Sequence, residues 1–206
     1  MFPSPLLMHH QLKPYMDEAL TFLLRRLKNH HLPSYQHTLT AAELSLLFSE
    51  ATRMTEDEKQ TFIRSVLAHD LGVLHLSSHC LRDFLIDRRA WETYKEHPAL
   101  TMQIVEHFQI GNISEEMVLY HHEHLDGSGF PFQVKWDELS YEVRVLTIID
   151  AFATILGECS PHFKLQGLKS RIEELYIWND IMFDKEILEH FTAMLQSIFS
   201  SKSQKK

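Results

Sequence analysis

Two apolar stretches of this chain carry polar residues where a hydrophobic core should be. In Val66-Leu67-Ala68-His69-Asp70-Leu71-Gly72-Val73-Leu74 a His-Asp pair interrupts the run, and in Val145-Leu146-Thr147-Ile148-Ile149-Asp150-Ala151-Phe152 a lone aspartate does. A buried carboxylate must be neutralised, paired or bound to a metal. No lysine or arginine is in obvious register with Asp150, since Arg144 lies six positions back. Taken singly, Asp150 reads more readily as a cap or a buried ion pair than as a ligand. The chain also holds 15 histidines, and His37, His97, His121 and His122 join His69, Asp70 and Asp150 in a set that shifts those odds. Imidazole and carboxylate together suit a first-row transition metal, and no thiolates are spaced to impose a zinc-finger site. Seven ligand-type side chains from five segments exceed one tetrahedral site. Two divalent ions are therefore expected, with Asp70 able to give one oxygen to each.

The elements that must position these residues read as helices throughout. Met16, Leu20, Leu23, Leu24 and Leu27 form an apolar stripe ended by Asn29 and Pro33, serving either as core or as a homodimer surface. A second helix is expected from His37 to about Ala51. Thr55 and Glu58 read as a capping box opening a third, through Phe62, Val66 and Leu67. Residues 74–90 lack a clean period and read as loops and short turns. Helix is expected again from about Asp87 to Phe108 with Pro98 near a boundary, then from Ser114 through His121 and His122. Adjacent helical residues point ~100° apart, so that pair could face different parts of one pocket. Asp126 to Pro131 is a glycine-punctuated loop. Helices over Tyr141–Leu156, Leu168–Trp178 and Ile187–Phe199 complete the set, and Ser200–Lys206 is a polar tail expected to fray.

Composition fits an ordinary globular protein, with 44% hydrophobic and 23% charged residues and few Gly (6) or Pro (7). A net charge of −8 argues against a surface that holds a nucleic-acid polymer by its phosphates. It leaves room for a small phosphate ligand, because bound metals would be the largest local charges. No apolar run spans a membrane, no signal pattern opens the chain, and Cys80 and Cys159 suggest no disulfide framework, so a cytoplasmic location is expected.

The dipeptide His69-Asp70, together with His121-His122-Glu123-His124-Leu125-Asp126-Gly127-Ser128-Gly129-Phe130-Pro131, resembles the HD-GYP phosphodiesterases of the HD superfamily, over roughly residues 33–197. Phe183-Asp184 before the last helix is similar to that family's C-terminal segment. The resemblance implies an all-α, single-domain helical bundle of the HD-domain type with a buried two-metal site. It divides the chain into an N-terminal helical extension (1–32), the metal-dependent domain (33–199) and a tail (200–206). It gives one metal His37, His69, Asp70 and Asp150, and the other His97, His121 and His122 with Asp70 bridging; iron or manganese is implied.

In that family a hydroxide held between the metals opens cyclic di-GMP to linear pGpG or on to GMP. The resemblance makes Asp70 and His69 the catalytic pair and Gly127, Ser128, Gly129, Phe130 and Pro131 the substrate-contacting loop. That loop is equally a surface for a signalling protein partner. Three departures bear on activity. Val73 stands where the family has a phosphate-holding lysine, Phe130 replaces the tyrosine, and Ala153 replaces the second aspartate of a D-x-x-D-A segment. An arginine-bearing segment is replaced by Ser160–Lys164, and Pro33 stands where some members carry a glutamate for a third metal. Three functions follow: cyclic di-GMP hydrolysis, a degenerate module that binds metal, cyclic dinucleotide or a partner without efficient turnover, or hydrolysis of another nucleotide or phosphate ester. The remaining histidines, among them His30, His31, His107, His124 and His190, read as solvent-facing or packing residues, and His75 and His79 as loop residues.

Overall fold

The computed structural model describes residues 10–157 and 165–203. Cys159, Ser160–Lys164 and the last three residues of the tail lie outside the described residues. Among those described there is no β-strand; the chain is an assembly of helices around one main core.

Helix α1 (Glu18–His30) begins where Asp17 Oδ1 accepts the Leu20 N–H at 2.8 Å, satisfying one of the donors that every helix start leaves free. Leu20, Leu23, Leu24 and Leu27 of the stripe are buried, and Met16, just before the helix, is half-buried against the core. Leu20, Leu23 and Leu24 enter the main core, and Leu27 enters a smaller cluster with Val73, Leu76, Cys80, Leu81 and Ala90. The stripe is core.

Helix α2 (Leu32–Ala51) starts earlier than its periodicity suggests. Pro33 occupies its first turn, where the missing N–H costs nothing, and His31 supplies the cap by accepting the Ser34 N–H. This helix is buried around most of its circumference, which marks it as the central element. Helix α3 (Glu56–Ala68) opens with the capping box expected of Thr55 and Glu58.

The region expected to be irregular contains a 3₁₀ turn (Leu71–His75) and helix α4 (Ser78–Asp83), capped by Ser77. The single helix expected over Asp87–Phe108 is two: α5 (Arg88–Tyr94) and α6 (His97–His107). Pro98 explains the break. It has no N–H to return to the carbonyl of Tyr94 four residues back, so the helix cannot run through that point. Helix α7 (Glu115–Tyr120) also ends sooner than expected: His121 is its C-cap and His122 lies beyond it.

Helix α8 (Tyr141–Gly157) packs along α2, and α3 packs on α2 as well. Helices α9 (Leu165–Tyr176) and α10 (Lys185–Ser203) close the core, so Ser200–Ser203, expected to be a frayed tail, is helical. Asp184 accepts the Glu186 and Ile187 N–H groups at the start of α10 and also pairs with Arg144 at 2.7 Å. Arg144 is thus engaged away from Asp150.

Candidate metal centre

All seven sequence-selected ligand candidates converge on one place, from separate elements. His37 comes from α2, His69 from the C-cap of α3, Asp70 from the residue after it, and His97 from the first residue of α6. His121 and His122 follow α7, and Asp150 comes from α8. They fall into two groups, Asp70 with His97, His121 and His122, and His37 with His69 and Asp150. Within each group one ligand atom per residue lies within 4.8 Å of every other.

Asp70 stands between the groups. Its Oδ1 is 3.3 Å from His97 Nε2 and 3.9 Å from His121 Nε2, while its Oδ2 is 3.6 Å from His69 Nε2 and 3.9 Å from His37 Nε2. Asp150 turns Oδ1 toward His37 (2.7 Å) and His69 (3.3 Å), and Oδ2 toward His122 Nδ1 at 3.7 Å. The donor set is three to four imidazole or carboxylate atoms a side, which fits a hydrolytic divalent metal.

Helix ends orient three of the imidazoles. His69 Nδ1 lies 2.6 Å from the Val66 carbonyl, His97 Nδ1 2.8 Å from that of Tyr94, and His121 Nδ1 2.8 Å from that of Val118. Each carbonyl is three residues back, at a point where the helix stops and leaves it without an amide partner. A carbonyl only accepts, so each Nδ1 carries a proton, and in the neutral ring that metal ligation requires each Nε2 presents a lone pair to the cluster. His97 Nε2 and His121 Nε2 consequently face each other at 3.2 Å as two lone pairs, an arrangement a cation relieves. Among the described residues His69 Nε2 and His122 Nε2 are buried with no hydrogen-bond partner, His69 Nε2 only facing Asp150 Oδ1 at 3.3 Å. Buried polar atoms are nearly always satisfied, so these orphans fit metal ligands.

Burial favours the neutral form of every group here, and the neighbours then divide them. Burial wins at His97, His121 and His122, whose pKa values are lowered, those of His121 and His122 well below the usual range. At His69 the carboxylates of Asp70 and Asp150 outweigh burial and push the pKa up to about 9, and at His37 Asp150 also outweighs burial, so that pKa is raised. Burial raises Asp70 and Asp150, but the surrounding imidazoles outweigh it and hold both down, Asp150 well below the ordinary carboxylate range.

A single glycine sets the distance between the two halves of the site. The Gly72 N–H donates to Thr101 Oγ1 at 2.8 Å, and that hydroxyl lies 2.9 Å from both the His69 and His97 carbonyls. A Cβ on Gly72 would come within 2.0 Å of the His97 carbonyl oxygen. Only glycine lets the 3₁₀ turn after Asp70 approach α6 this closely.

The loop after His122 is held from beneath. Glu123 is buried, and its Oε1 accepts the Phe132 N–H at 2.6 Å and the Gln133 N–H at 3.0 Å. Gly127 sits at φ 78°, and Ser128 N–H donates to Asp126 Oδ1 at 2.9 Å. A side chain at Gly129 would strike the backbone of residues 122–124 at 2.5 Å. The loop thereby lays the Phe130 ring on His122, with centroids 4.6 Å apart, and within 6.2 Å of His97. Ser128, Gly129, Phe130 and Pro131 otherwise line a separate cavity of about 440 Å³, shared with Trp91 and Lys95.

The ligand candidates open into another cavity of about 440 Å³, reached past His37, Asp70, His122 and Asp150. His31 and Tyr94 line it too. His31 is thus a wall of the site and not merely a solvent-facing or packing histidine, because its capping role fixes it at the mouth. Tyr94 gave no signal of its own in the sequence beyond standing three residues before His97. Val73 is wholly buried in the smaller apolar cluster, and Ala153 lines the cavity. His79 pairs with Asp83 at 3.1 Å, away from the site.

A family model described as HD domain matches residues 21–180. The chain belongs to the HD domain family. Among curated relatives, this HD domain is 29% identical over 123 residues to the 3'3'-cGAMP-specific phosphodiesterase 3 of Vibrio cholerae, covering 59% of this chain and 27% of that protein. It is 21% identical over 187 residues to the cyclic di-GMP phosphodiesterase of Thermotoga maritima, covering 89% of this chain and 50% of that one. The chain therefore spans half or less of the length of these relatives. Among solved structures the fold is similar to Bd1817, an HDG"Y"P protein from Bdellovibrio bacteriovorus, with a TM-score of 0.62, 18% identity and coverage of 80% of this chain and 52% of that one.

Proposed function

We propose that this HD domain is a metal-dependent phosphodiesterase that opens cyclic di-GMP to linear pGpG or on to GMP. The observation that carries the reading is the division of Asp70, with one carboxylate oxygen toward each of two ligand groups in a buried pocket. Relatives named for hydrolysis of cyclic dinucleotides support the substrate class. In this reading His37, His69, Asp70 and Asp150 hold one ion and His97, His121 and His122 hold the other, with Asp70 shared; iron or manganese suits the donors. Two such cations, when bound, lower the pKa of water and neutralise charge that builds on phosphoryl oxygens.

The chain's own part is to hold the ligands in place and shape the space. The three Nδ1 anchors fix which nitrogen faces inward, so little reorganisation is needed at the moment of reaction. Phe130 forms an apolar rim against His122 where a base or sugar can lie. Asp150 holds His37 and His69 from the second side.

A second reading is a module that binds metal and cyclic dinucleotide, or a protein partner through Gly127–Pro131, without efficient turnover. The burial of Val73 among apolar side chains favours it, because no cation stands there to hold a phosphate. Metal analysis and a substrate panel on freshly purified protein separate the two. The phosphodiesterase reading expects about two transition-metal ions per chain and linear product from cyclic di-GMP. Fully loaded protein that binds cyclic di-GMP and releases no linear product would leave only the second reading.

A further inference from the structure

A phosphodiester entering the pocket brings a negative charge past Asp70 and Asp150, and among the described residues lining that cavity there is no lysine or arginine. Apart from the cations the site would hold, the groups left to contact the phosphoryl oxygens are hydrogen-bond donors on its walls. Two of them are fixed in place with their protons free.

Tyr94 is stacked on Phe84, at 4.2 Å and nearly parallel, and its ring meets that of His97 at 4.7 Å, tilted by 48°. Its ring packs on the cluster that buries Val73. Its hydroxyl makes no hydrogen bond among the described residues, and the residue lines the cavity. A phenol O–H without a partner is a hydrogen-bond donor. His31 is fixed by its capping role. Its Nδ1 accepts the Ser34 N–H at 3.3 Å and lies 2.9 Å from Ser34 Oγ. An Nδ1 that accepts from a backbone amide carries no proton, so the ring's proton sits on Nε2. That Nε2–H has no partner among the described residues, and the ring lines the same cavity.

We propose that Tyr94 and His31 are the anion-binding residues of this pocket, donating O–H and Nε2–H hydrogen bonds to the non-bridging oxygens of the bound phosphodiester. They take the part that a lysine at position 73 plays in the family this chain resembles. Neutral donors do so without placing a fixed cation beside the metal ligands, and a bond from a neutral donor to a charged oxygen is still charge-assisted. The inference rests on the phosphodiesterase reading for its substrate, but not for the site, which would hold any phosphate.

The test uses the full chain loaded with manganese, as wild type, Tyr94→Phe and His31→Ser. Phenylalanine keeps the ring contacts with Phe84 and His97 and removes only the hydroxyl; serine keeps a strong helix cap and withdraws the imidazole. Metal content and Tm are measured first, then binding of inorganic phosphate by calorimetry, then hydrolysis of cyclic di-GMP. Each variant is expected to retain its metal and to bind phosphate roughly ten- to a hundredfold more weakly, with kcat/KM for cyclic di-GMP falling by a similar factor. Wild-type phosphate affinity in both metal-loaded variants overturns the proposal, and so does a metal-loaded wild type that binds no phosphate. If wild type binds phosphate, the variants lose it and no preparation turns over cyclic di-GMP, the donors stand and the phosphodiesterase reading fails. Loss of metal in Tyr94→Phe would show the residue to be structural, and would likewise overturn its assignment.

Discussion

Replacing Gly72 by alanine adds one methyl group and strains the joint between the two halves of the site. The new Cβ would lie 2.0 Å from the His97 carbonyl oxygen and 2.8 Å from the Thr101 nitrogen. Both are backbone atoms in the first turns of α6, so no rotamer change relieves the clash. Ordinary contact begins near 3.4 Å, so the 3₁₀ turn and α6 must part by about 1.4 Å. Overpacking of this kind costs roughly 1–3 kcal/mol. The Gly72–Thr101 hydrogen bond is strained as well, at about 1 kcal/mol. For a chain of this size the sum corresponds to a fall in Tm of roughly 5–15 °C.

The functional effect should be larger. Asp70 and His97 lie on opposite sides of the joint, 3.3 Å apart, and a displacement of about 1 Å at a reacting centre can cost on the order of a hundredfold in rate. Gly111→Ala is the control, since nothing lies within 4 Å of its would-be Cβ, and it should stay within about 1 kcal/mol of wild type. Scanning calorimetry and elemental analysis of both variants give the answer. Wild-type Tm and full metal content in Gly72→Ala would refute the claim that this contact sets the ligand spacing.

Asp70→Ala should abolish or collapse occupancy at both metal positions, whereas His190→Ala, an exposed change on α10, should leave metal content alone; equal losses in elemental analysis would undo the ligand assignment. Glu43 has a buried Oε1 with no hydrogen-bond partner among the described residues, and burial pushes its pKa up from 4.5 to about 7. The fold therefore prefers the protonated acid, which is harmless below pH 4.5 and costs stability as pH rises through 7. Glu43→Gln should raise Tm by a few degrees at pH 8 and leave it unchanged at pH 4, and an equal gain at both would refute the burial argument. Pro98→Ala restores an amide that can claim the Tyr94 carbonyl from His97 Nδ1. It should keep or raise Tm while weakening metal binding by roughly tenfold, as loss of a ligand-orienting partner does, and unchanged affinity in a metal titration would count against the anchoring role.

The ligand candidates were legible because burying a polar side chain in an apolar run is expensive enough to demand a reason. His69, Asp70 and Asp150 stand out by that rule, although Asp150 taken singly reads as a cap or ion pair and becomes a ligand candidate only with the rest of the set. The other histidines stand out by their number and by the motif from His121 to Pro131. Helix type was legible from periodicity, and the boundaries were less so. A helix across residues 87–108 satisfies the apolar pattern, yet the absent amide of Pro98 divides it. His121 and His122 look helical in sequence, but α7 stops at Tyr120. Tyr94 and His31 were not legible as site residues, because nothing in a tyrosine before a helix break or a histidine before Leu-Pro signals what it faces. Their roles depend on the packing of α2, α4 and α5 around one cavity, and those are contacts between segments distant in the chain.

The helix breaks and the site are the same feature. A helix interior consumes its carbonyls, so a histidine there has no backbone acceptor for Nδ1. At an end the last carbonyls are free, and a histidine three residues on can anchor its ring there and aim Nε2 away. His69, His97 and His121 all sit at such ends, each anchored to a carbonyl three residues back. His37 and Asp150 lie inside long helices and lack that anchor, and they steady each other across 2.7 Å instead. The site therefore combines two ways of fixing a ligand. Three ring orientations are set by where helices stop, and one ion pair between α2 and α8 is set by how tightly those helices pack. A substitution that moved α8 against α2 should disturb the group of His37, His69 and Asp150 first, and one that extended a helix should disturb the ring it anchors.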